Sequence, residues 1–263
     1  MRLALGIEYD GSAFFGWQEQ ARVRTVQSCL DEALSTVANE PVKSVCGGRT
    51  DSGVHAIGQV VHIDTAAERG ARSWILGTNV NLPNDVAVRW SQPVAADFHA
   101  RFSALRRHYR YVILNRTARP GLWSSQVSWE PRYLDEARMH RAAQHLLGEH
   151  DFSAYRARGC QAKHPVRRIE YIEVSRQGEW VFLVVVANAF LQHMVRNIAG
   201  VLIAIGIGEA DESWTRTILQ SQDRDAGGVT APPQGLYLTA IEYPSHFGLP
   251  KMPNQLDPRV IVQ

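Results

Sequence analysis

Gly47-Gly48-Arg49-Thr50-Asp51-Ser52-Gly53-Val54-His55-Ala56 stands between two apolar runs, and its reading decides the fold. Val42 to Cys46 has the content of a short arriving strand and Ile57 to Ile63 alternates as a departing one, so the decapeptide is a loop held at both ends by a sheet. A loop anchored in this way presents a side chain with little wobble. Its leading glycines permit a tight turn or a close backbone approach, and Arg49 and Asp51 set a cation and a carboxylate two residues apart. Two readings fit these residues. One is an Arg–Asp pair that stiffens a surface connection; the other is an active-site loop in which Asp51 is a nucleophile or general base and Arg49 orients it.

Working outward, Arg2 to Tyr9 is a first strand broken by the turn Asp10-Gly11-Ser12. Thr25 is placed to cap a helix whose apolar positions Val26, Leu30, Ala33, Leu34 and Val37 recur at helical spacing and which ends before Pro41. Beyond the loop, Ser73 to Val80 is a weaker helix, Leu82 to Asp85 a turn, and Val86 to Trp90 a strand. The order strand, helix, strand, strand, helix, strand is that of a ferredoxin-like domain ending near residue 100, with an antiparallel sheet and helices on one face. Asp97 to Phe102 reads as a join.

After the join, Arg107 to Leu114 is a strand with Tyr109, Tyr111 and Ile113 on one face and His108, Arg110 and Val112 on the other. Gly121 to Glu130 reads as irregular, and Asp135 caps a helix reaching Leu147 and ended by Gly148. Phe152 to Val166 is a long irregular stretch of the kind that usually contacts substrate. Ile169 to Val174 and Trp180 to Ala187 pair as a hairpin; Phe190 to Ile205 and Glu212 to Gln220 are helices, and Tyr237 to Tyr243 is the last strand. This expectation is α+β: two ferredoxin-like-derived domains, 1–100 and 101–263, with antiparallel sheets joined into one extended sheet and an active-site cleft between them.

Of the 28 basic residues only Lys43, Lys163 and Lys251 are lysines. The cationic equipment is therefore arginine, suited to bidentate phosphate contacts and base stacking. A net charge of +2 names no partner, but its distribution does more. Arg101, Arg106, Arg107, Arg110, Arg116 and Arg119 lie in one segment without an acidic residue, and Arg156, Arg158, Lys163, Arg167 and Arg168 in another. Such segments read as solvated faces or as a surface for a polyanion. Cys29, Cys46 and Cys160 lack zinc spacing and leave an odd count, the pattern of buried thiols in a reducing compartment. Ile198 to Ile207, the longest apolar run, is far short of a membrane span, and the amino terminus reads as a strand instead of a signal peptide. A cytoplasmic protein without membrane contact is expected. His140, His145 and His150 walk around a helix instead of stacking, and Gly206-Ile207-Gly208 lacks the further glycine of a dinucleotide fingerprint, so nothing calls for a metal or cofactor.

Gly48-Arg49-Thr50-Asp51 followed by Gly53-Val54-His55 resembles the active-site signature of the tRNA pseudouridine synthase A family, with Ser52 where many members carry alanine. Gly6 to Gly11, Phe15 to Gln18, Asp97 to Phe102, His193 to Asn197 and Gly235 to Leu238 also resemble family blocks, in family order. The resemblance implies that Asp51 is the catalytic aspartate, that Arg49 pairs with it, that Tyr109 lies under the target base, and that Arg196 approaches the same cleft. It implies a homodimer that converts uridine to pseudouridine at positions 38, 39 and 40 of the tRNA anticodon arm, without a small-molecule cofactor. The uridine is expected to be flipped out, with Arg101, Arg106, Arg107, Arg110, Arg156, Arg158, Lys163 and Arg168 holding the backbone. Two other readings compete: a non-catalytic protein that binds structured RNA, and a nucleoside hydrolase, which would leave the basic segments without a role.

Overall fold

A computed structural model describes residues 1–250. Lys251 and the end of the expected second domain lie outside the described residues. Along the chain run β1 (Arg2–Tyr9), α1 (Val26–Ala38), β2 (Val45–Cys46), β3 (His55–Asp64), α2 (Ala71–Asn81), β4 (Val86–Val94), β5 (Arg106–Asn115), β6 (Ser128–Glu130), α3 (Glu136–Ala143), β7 (Gly148–Asp151), β8 (Val166–Gln177), β9 (Trp180–Ala187), α4 (Met194–Gly206), α5 (Trp214–Ser221) and β10 (Leu236–Glu242). The described residues fold as two compact units, Met1–Arg106 joined by 237–250, and Arg107–Leu236. The expected boundary at residue 100 therefore moves to 106, and β10 changes sides. The reason lies in the join. Phe98 and Ala100 are fully buried with Ala4 and Val60, against Trp90, Tyr243 and Phe247, so the join belongs to the first core.

In the first unit α1 begins where Thr25 predicts. The Thr25 hydroxyl accepts from the Ser28 amide and Ser28 reaches back to the Thr25 amide, a reciprocal cap of the kind worth about 1 kcal/mol. Asn39, in the left-handed region at φ 58°, ends the helix before Pro41. Val26, Leu30, Ala33 and Leu34 are buried, while Val37 is half-buried and faces Gly77 of α2. The weaker helix α2 has no side-chain cap and buries only Trp74 and Thr78.

The sheet is mixed, which corrects the antiparallel expectation. β1 pairs antiparallel with β3 and β4. The other edge of β3 is shared: Val45 and Cys46 run antiparallel to His62 and Val61, while Tyr237 and Leu238 run parallel to His55 and Ala56. β2 is shorter than the Val42 to Cys46 run because Val42 N and Ser44 N donate to the Ser35 hydroxyl and the Asp31 carboxylate of α1 instead of to a strand. Gly47 N still donates to Val60 O at 2.8 Å, and the Gln59 amide then takes over, accepting from Gly48 N at 3.3 Å and donating to Gly48 O at 2.6 Å. Part of the edge β2 vacates is occupied by β10, so backbone groups there are not left unpaired.

In the second unit β5 pairs antiparallel with β9, β9 with β8 and β8 with β7, and β6 lies parallel to β5. The segment read as irregular up to Glu130 thus ends in a strand. The Asp135-capped helix is α-helical only to Ala143, passes through a 3₁₀ turn at Gln144–Leu146, and gives way at Gly148, φ +95°, to the unforeseen β7. Met139, Ala142, Ala143 and Leu146 form the buried stripe, whereas Leu147 is exposed. α4 starts at Met194 and not at Phe190, because His193 is held at φ 62° and Phe190 packs edge-on against Tyr109 at 5.0 Å.

His62 gives the first unit an acid limit. It is 4 % exposed, and its Nδ1 accepts from Ala100 N at 3.1 Å. Burial, with help from the charges of Arg2 and His99, lowers its pKa to about 4. The folded value lies below the unfolded value of about 6.5, so the native state binds fewer protons between the two. This contribution is complete above about pH 6.5 and is lost as the pH falls toward 4, by up to roughly 3 kcal/mol. Urea unfolding at pH 7 and 4.5 should show that loss. His62→Asn, whose amide oxygen can stand in for Nδ1, should have a flatter profile; equal pH dependence in both proteins contradicts the assignment.

Candidate active site

The decapeptide is gripped by the segment that follows β1. Thr50 O accepts from Trp17 N at 3.0 Å, and the Thr50 and Tyr9 hydroxyls are 2.7 Å apart in the interior. Phe14 O accepts from Gly53 N at 3.3 Å and from the Ser52 hydroxyl at 3.2 Å, a bond that alanine at this position cannot make. Inside the loop Val54 N donates to Asp51 O at 3.1 Å. Gly16, at φ +84°, passes so close that a Cβ would sit 2.7 Å from Thr50 O and 3.1 Å from the Asp51 carbonyl carbon. Gly11 is closer still, its Cβ position only 2.0 Å from Val54 O.

His55, near the end of the decapeptide, ties the loop to the same segment a second time. Its Nδ1 accepts from Gly11 N at 3.0 Å and lies 3.2 Å from Asp10 Oδ1, while Asp10 Oδ1 also caps Ser12 N. The imidazole stacks on Tyr237 at 4.6 Å and 21°. These contacts give physical roles to the Gly6–Gly11, Phe15–Gln18 and Gly235–Leu238 blocks. Tyr9, Thr50, His55 and Gln59 were not foreseen as loop supports; Tyr9 was signalled only by its place in the Gly6–Gly11 block, and Thr50 and His55 only by theirs in the Gly48–His55 signature, with Gln59 just beyond it.

Within this frame Asp51 is half-buried and Arg49 exposed. Burial pushes the Cys46 thiol up to about 12, against the opposing pull of Arg49 and Arg101, so Cys46 is a neutral interior thiol. Cys29 and Cys160 are half-buried rather than buried.

Tyr109 and Arg196 belong to the second unit. Tyr109 is 7 % exposed, with Phe190 against its ring. Arg196 Nε donates to Ala231 O at 2.9 Å and Arg196 O accepts from Ala231 N at 3.1 Å, which fastens the 229–231 segment along α4. That segment passes so near that a Cβ on Gly200 would lie 1.8 Å from Val229 O. The Arg196 charge also acts on Tyr111, whose ionisation burial opposes strongly and whose hydroxyl donates to Pro232 O at 2.8 Å. Tyr111 and Tyr109 alternate onto one face of β5, as the sequence predicts.

The basic segments lack acids in sequence but not in space. Arg158 meets Asp225 at 2.5 Å, Arg168 approaches Glu149 at 3.8 Å, and Arg106 meets Glu242 at 2.9 Å. Arg107 donates to Asn188 O at 2.8 Å, and Arg110 lies 5.8 Å from the Phe182 ring centroid. Arg101 and Lys163 are exposed and Arg156 half-buried. Arg167 spends its guanidinium on His164 O and Val166 O. At least three of these arginines therefore have carboxylate neighbours that their own segments lack. The three histidines of the α3 region go separate ways, to Val174 N, to the Thr215 hydroxyl and to Leu147 O. Among the described residues no three His, Cys, Asp or Glu side chains converge to hold a metal ion, and no helix is long and apolar enough to cross a membrane.

A family model described as tRNA pseudouridine synthase matches residues 6–103 and 142–244, spans that include the whole decapeptide and Arg196. The chain belongs to this family. Proteins called tRNA pseudouridine synthase A are similar to it along nearly their whole length. The one from Nitrosococcus oceani is 57 % identical over 96 % of this chain and 97 % of its own. Those from Coxiella burnetii and Alcanivorax borkumensis are 54 % and 56 % identical over 96 % of this chain and 97 % and 95 % of their own. The enzyme class is that of the tRNA pseudouridine synthases. Tyr109 and the strand β5 fall in the interval between the two matched spans.

Proposed function

We propose that this chain isomerises uridine to pseudouridine at positions 38, 39 and 40 of the tRNA anticodon stem and loop, with Asp51 as the reacting carboxylate. The observation that carries the reading is the grip on the Asp51 loop, whose Thr50, Gly53 and His55 are all fixed by backbone and side-chain bonds to the Tyr9–Trp17 segment. The reaction breaks the N1–C1′ bond, turns the uracil, and forms a C5–C1′ bond; the hydrogen at C5 leaves to solvent and N1 gains one. Substrate and product are isomers, so the step consumes neither water nor a redox partner. Attack at C1′, addition at C6, and removal of the 2′ proton all require one well-placed carboxylate, and a rigid loop meets that need.

Arg49 orients and pairs with Asp51, Tyr109 stacks against the base and assists deprotonation at C5, and Arg196 completes the cleft. Arg101, Arg156 and Lys163, which are exposed or half-buried, contact phosphates, as do Arg158 and Arg168 on leaving Asp225 and Glu149. The working form is a homodimer in the cytoplasm, where its tRNA substrate is.

Tritium release tests this reading. Unmodified tRNA transcripts labelled at uridine C5 should release tritium in proportion to the uridines at 38, 39 and 40, and transcripts with cytidine at all three should release none. Tight tRNA binding without release on any transcript would favour the non-catalytic RNA-binding reading.

A further inference from the structure

Asp97 to Phe102 was expected as a join, yet much of its bonding serves to hold one aromatic ring in water. His99 O accepts from Ser103 N at 2.8 Å, and Ser103 Oγ accepts from His99 N at 3.0 Å. His99 Nδ1 accepts from both Arg101 N and Phe102 N at 3.2 Å. Between them Ala100 is fully buried; its amide donates to His62 and its carbonyl accepts from the Tyr243 hydroxyl at 2.6 Å. The product of this bonding is a Phe102 side chain that is 77 % exposed. The His99 ring props it at 4.3 Å and itself rests on His62 at 4.8 Å, while the Arg101 guanidinium lies 5.6 Å from the Phe102 ring centroid.

An exposed phenylalanine forgoes burial that usually stabilises a fold. A turn this well bonded does not leave it outside for want of order. Its position is informative as well. Ala100 O lies 3.1 Å from where a Cβ on Gly47 would be, at the start of the catalytic loop, and Arg101 and Arg49 both act on the Cys46 thiol beneath. A planar apolar face with the Arg101 guanidinium beside it suits a nucleobase with its phosphate. A membrane or a protein partner would want a broader apolar area.

We infer that Phe102, with Arg101, is a stacking ledge for an unpaired base of the substrate RNA, next to the Asp51 loop. The inference rests on the reading of this chain as an enzyme of RNA. Stacking needs only the flat face of the ring and tolerates any base, so the ledge contributes affinity and position more than sequence choice.

The test uses the full chain with Phe102→Ala, Phe102→Leu and Phe102→Tyr, measuring affinity for unmodified tRNA by filter binding, tritium release, thermal melting and mass by light scattering. Alanine and leucine should weaken tRNA binding by roughly 5- to 150-fold, and tyrosine should stay within about 2-fold, all with unchanged melting. Leucine binding as well as phenylalanine would reduce the ring to an apolar filler and overturn the inference. So would wild-type affinity in the alanine variant, or an alanine variant that lost its partner subunit, which would assign the ring to a second copy of this chain. Wild type that binds tRNA but releases no tritium would sink the isomerase reading, while the binding series would still decide the ledge. Absence of any tRNA binding would overturn both.

Discussion

Asp51→Asn is expected to eliminate pseudouridine formation, lowering tritium release by roughly four orders of magnitude or more, as loss of a reacting group does. Asparagine keeps the shape of the side chain and removes its charge. The grip on the loop runs through the Thr50 carbonyl and hydroxyl, Ser52, Gly53 and His55, so the substitution leaves those named bonds in place. Melting temperature and tRNA affinity should accordingly remain close to wild type, within a few-fold for binding. Arg49→Ala should suppress turnover less completely, because orientation is disturbed while the carboxylate remains. Robust release by folded Asp51→Asn would remove Asp51 from the chemistry altogether.

Gly16→Ala should impair turnover strongly although it touches no reactive group. Its φ of +84° costs an alanine about 1–2 kcal/mol. Its new Cβ would stand 2.7 Å from Thr50 O, against backbone that cannot swing away like a side-chain tip. The loop must shift, and a displacement near 1 Å at a reacting group costs on the order of 100-fold in rate. A fall in kcat of about that size, with tRNA affinity kept and melting lowered by roughly 4–8 °C, is the expected outcome. Gly121→Ala, with no atom within 4 Å of the added carbon, is the control and should match wild type. A Gly16→Ala enzyme with normal kcat would show that the loop does not need its present position.

Much of the first unit was legible because its signals are local. Thr25, Pro41 and the 3.6-residue stripe between them describe α1 completely, and the alternation of Ile57 to Ile63 describes most of β3. β10 beside β3 was not legible, because a parallel pair between distant segments leaves no mark on either one's pattern; Tyr237 and His55 meet only in three dimensions. The basic segments failed for a related reason. Their lack of acids is a property of the sequence, while Asp225, Glu149 and Glu242 arrive from elsewhere in the fold. At the site, the chemistry-bearing Asp51 and Arg49 stood out by residue type. Gly11, Gly16 and His55, which fix the loop, showed only as parts of a block, since close backbone approach is invisible until the partner segment is known.

β10 also sets a timetable for biosynthesis. The Asp51 loop leaves the ribosome early, with β1 to β4, but the strand that lies along His55 and Ala56 and brings Tyr237 onto the imidazole is made near the end. Until then β3 exposes part of an edge, and the first unit must wait for the whole second unit to be translated before its sheet is complete. A nascent chain therefore carries its reactive loop half-supported and acquires the full grip only once Tyr237 has emerged, so a ribosome-stalled fragment ending before Tyr237 would hold the aspartate without the fixed geometry that turnover requires.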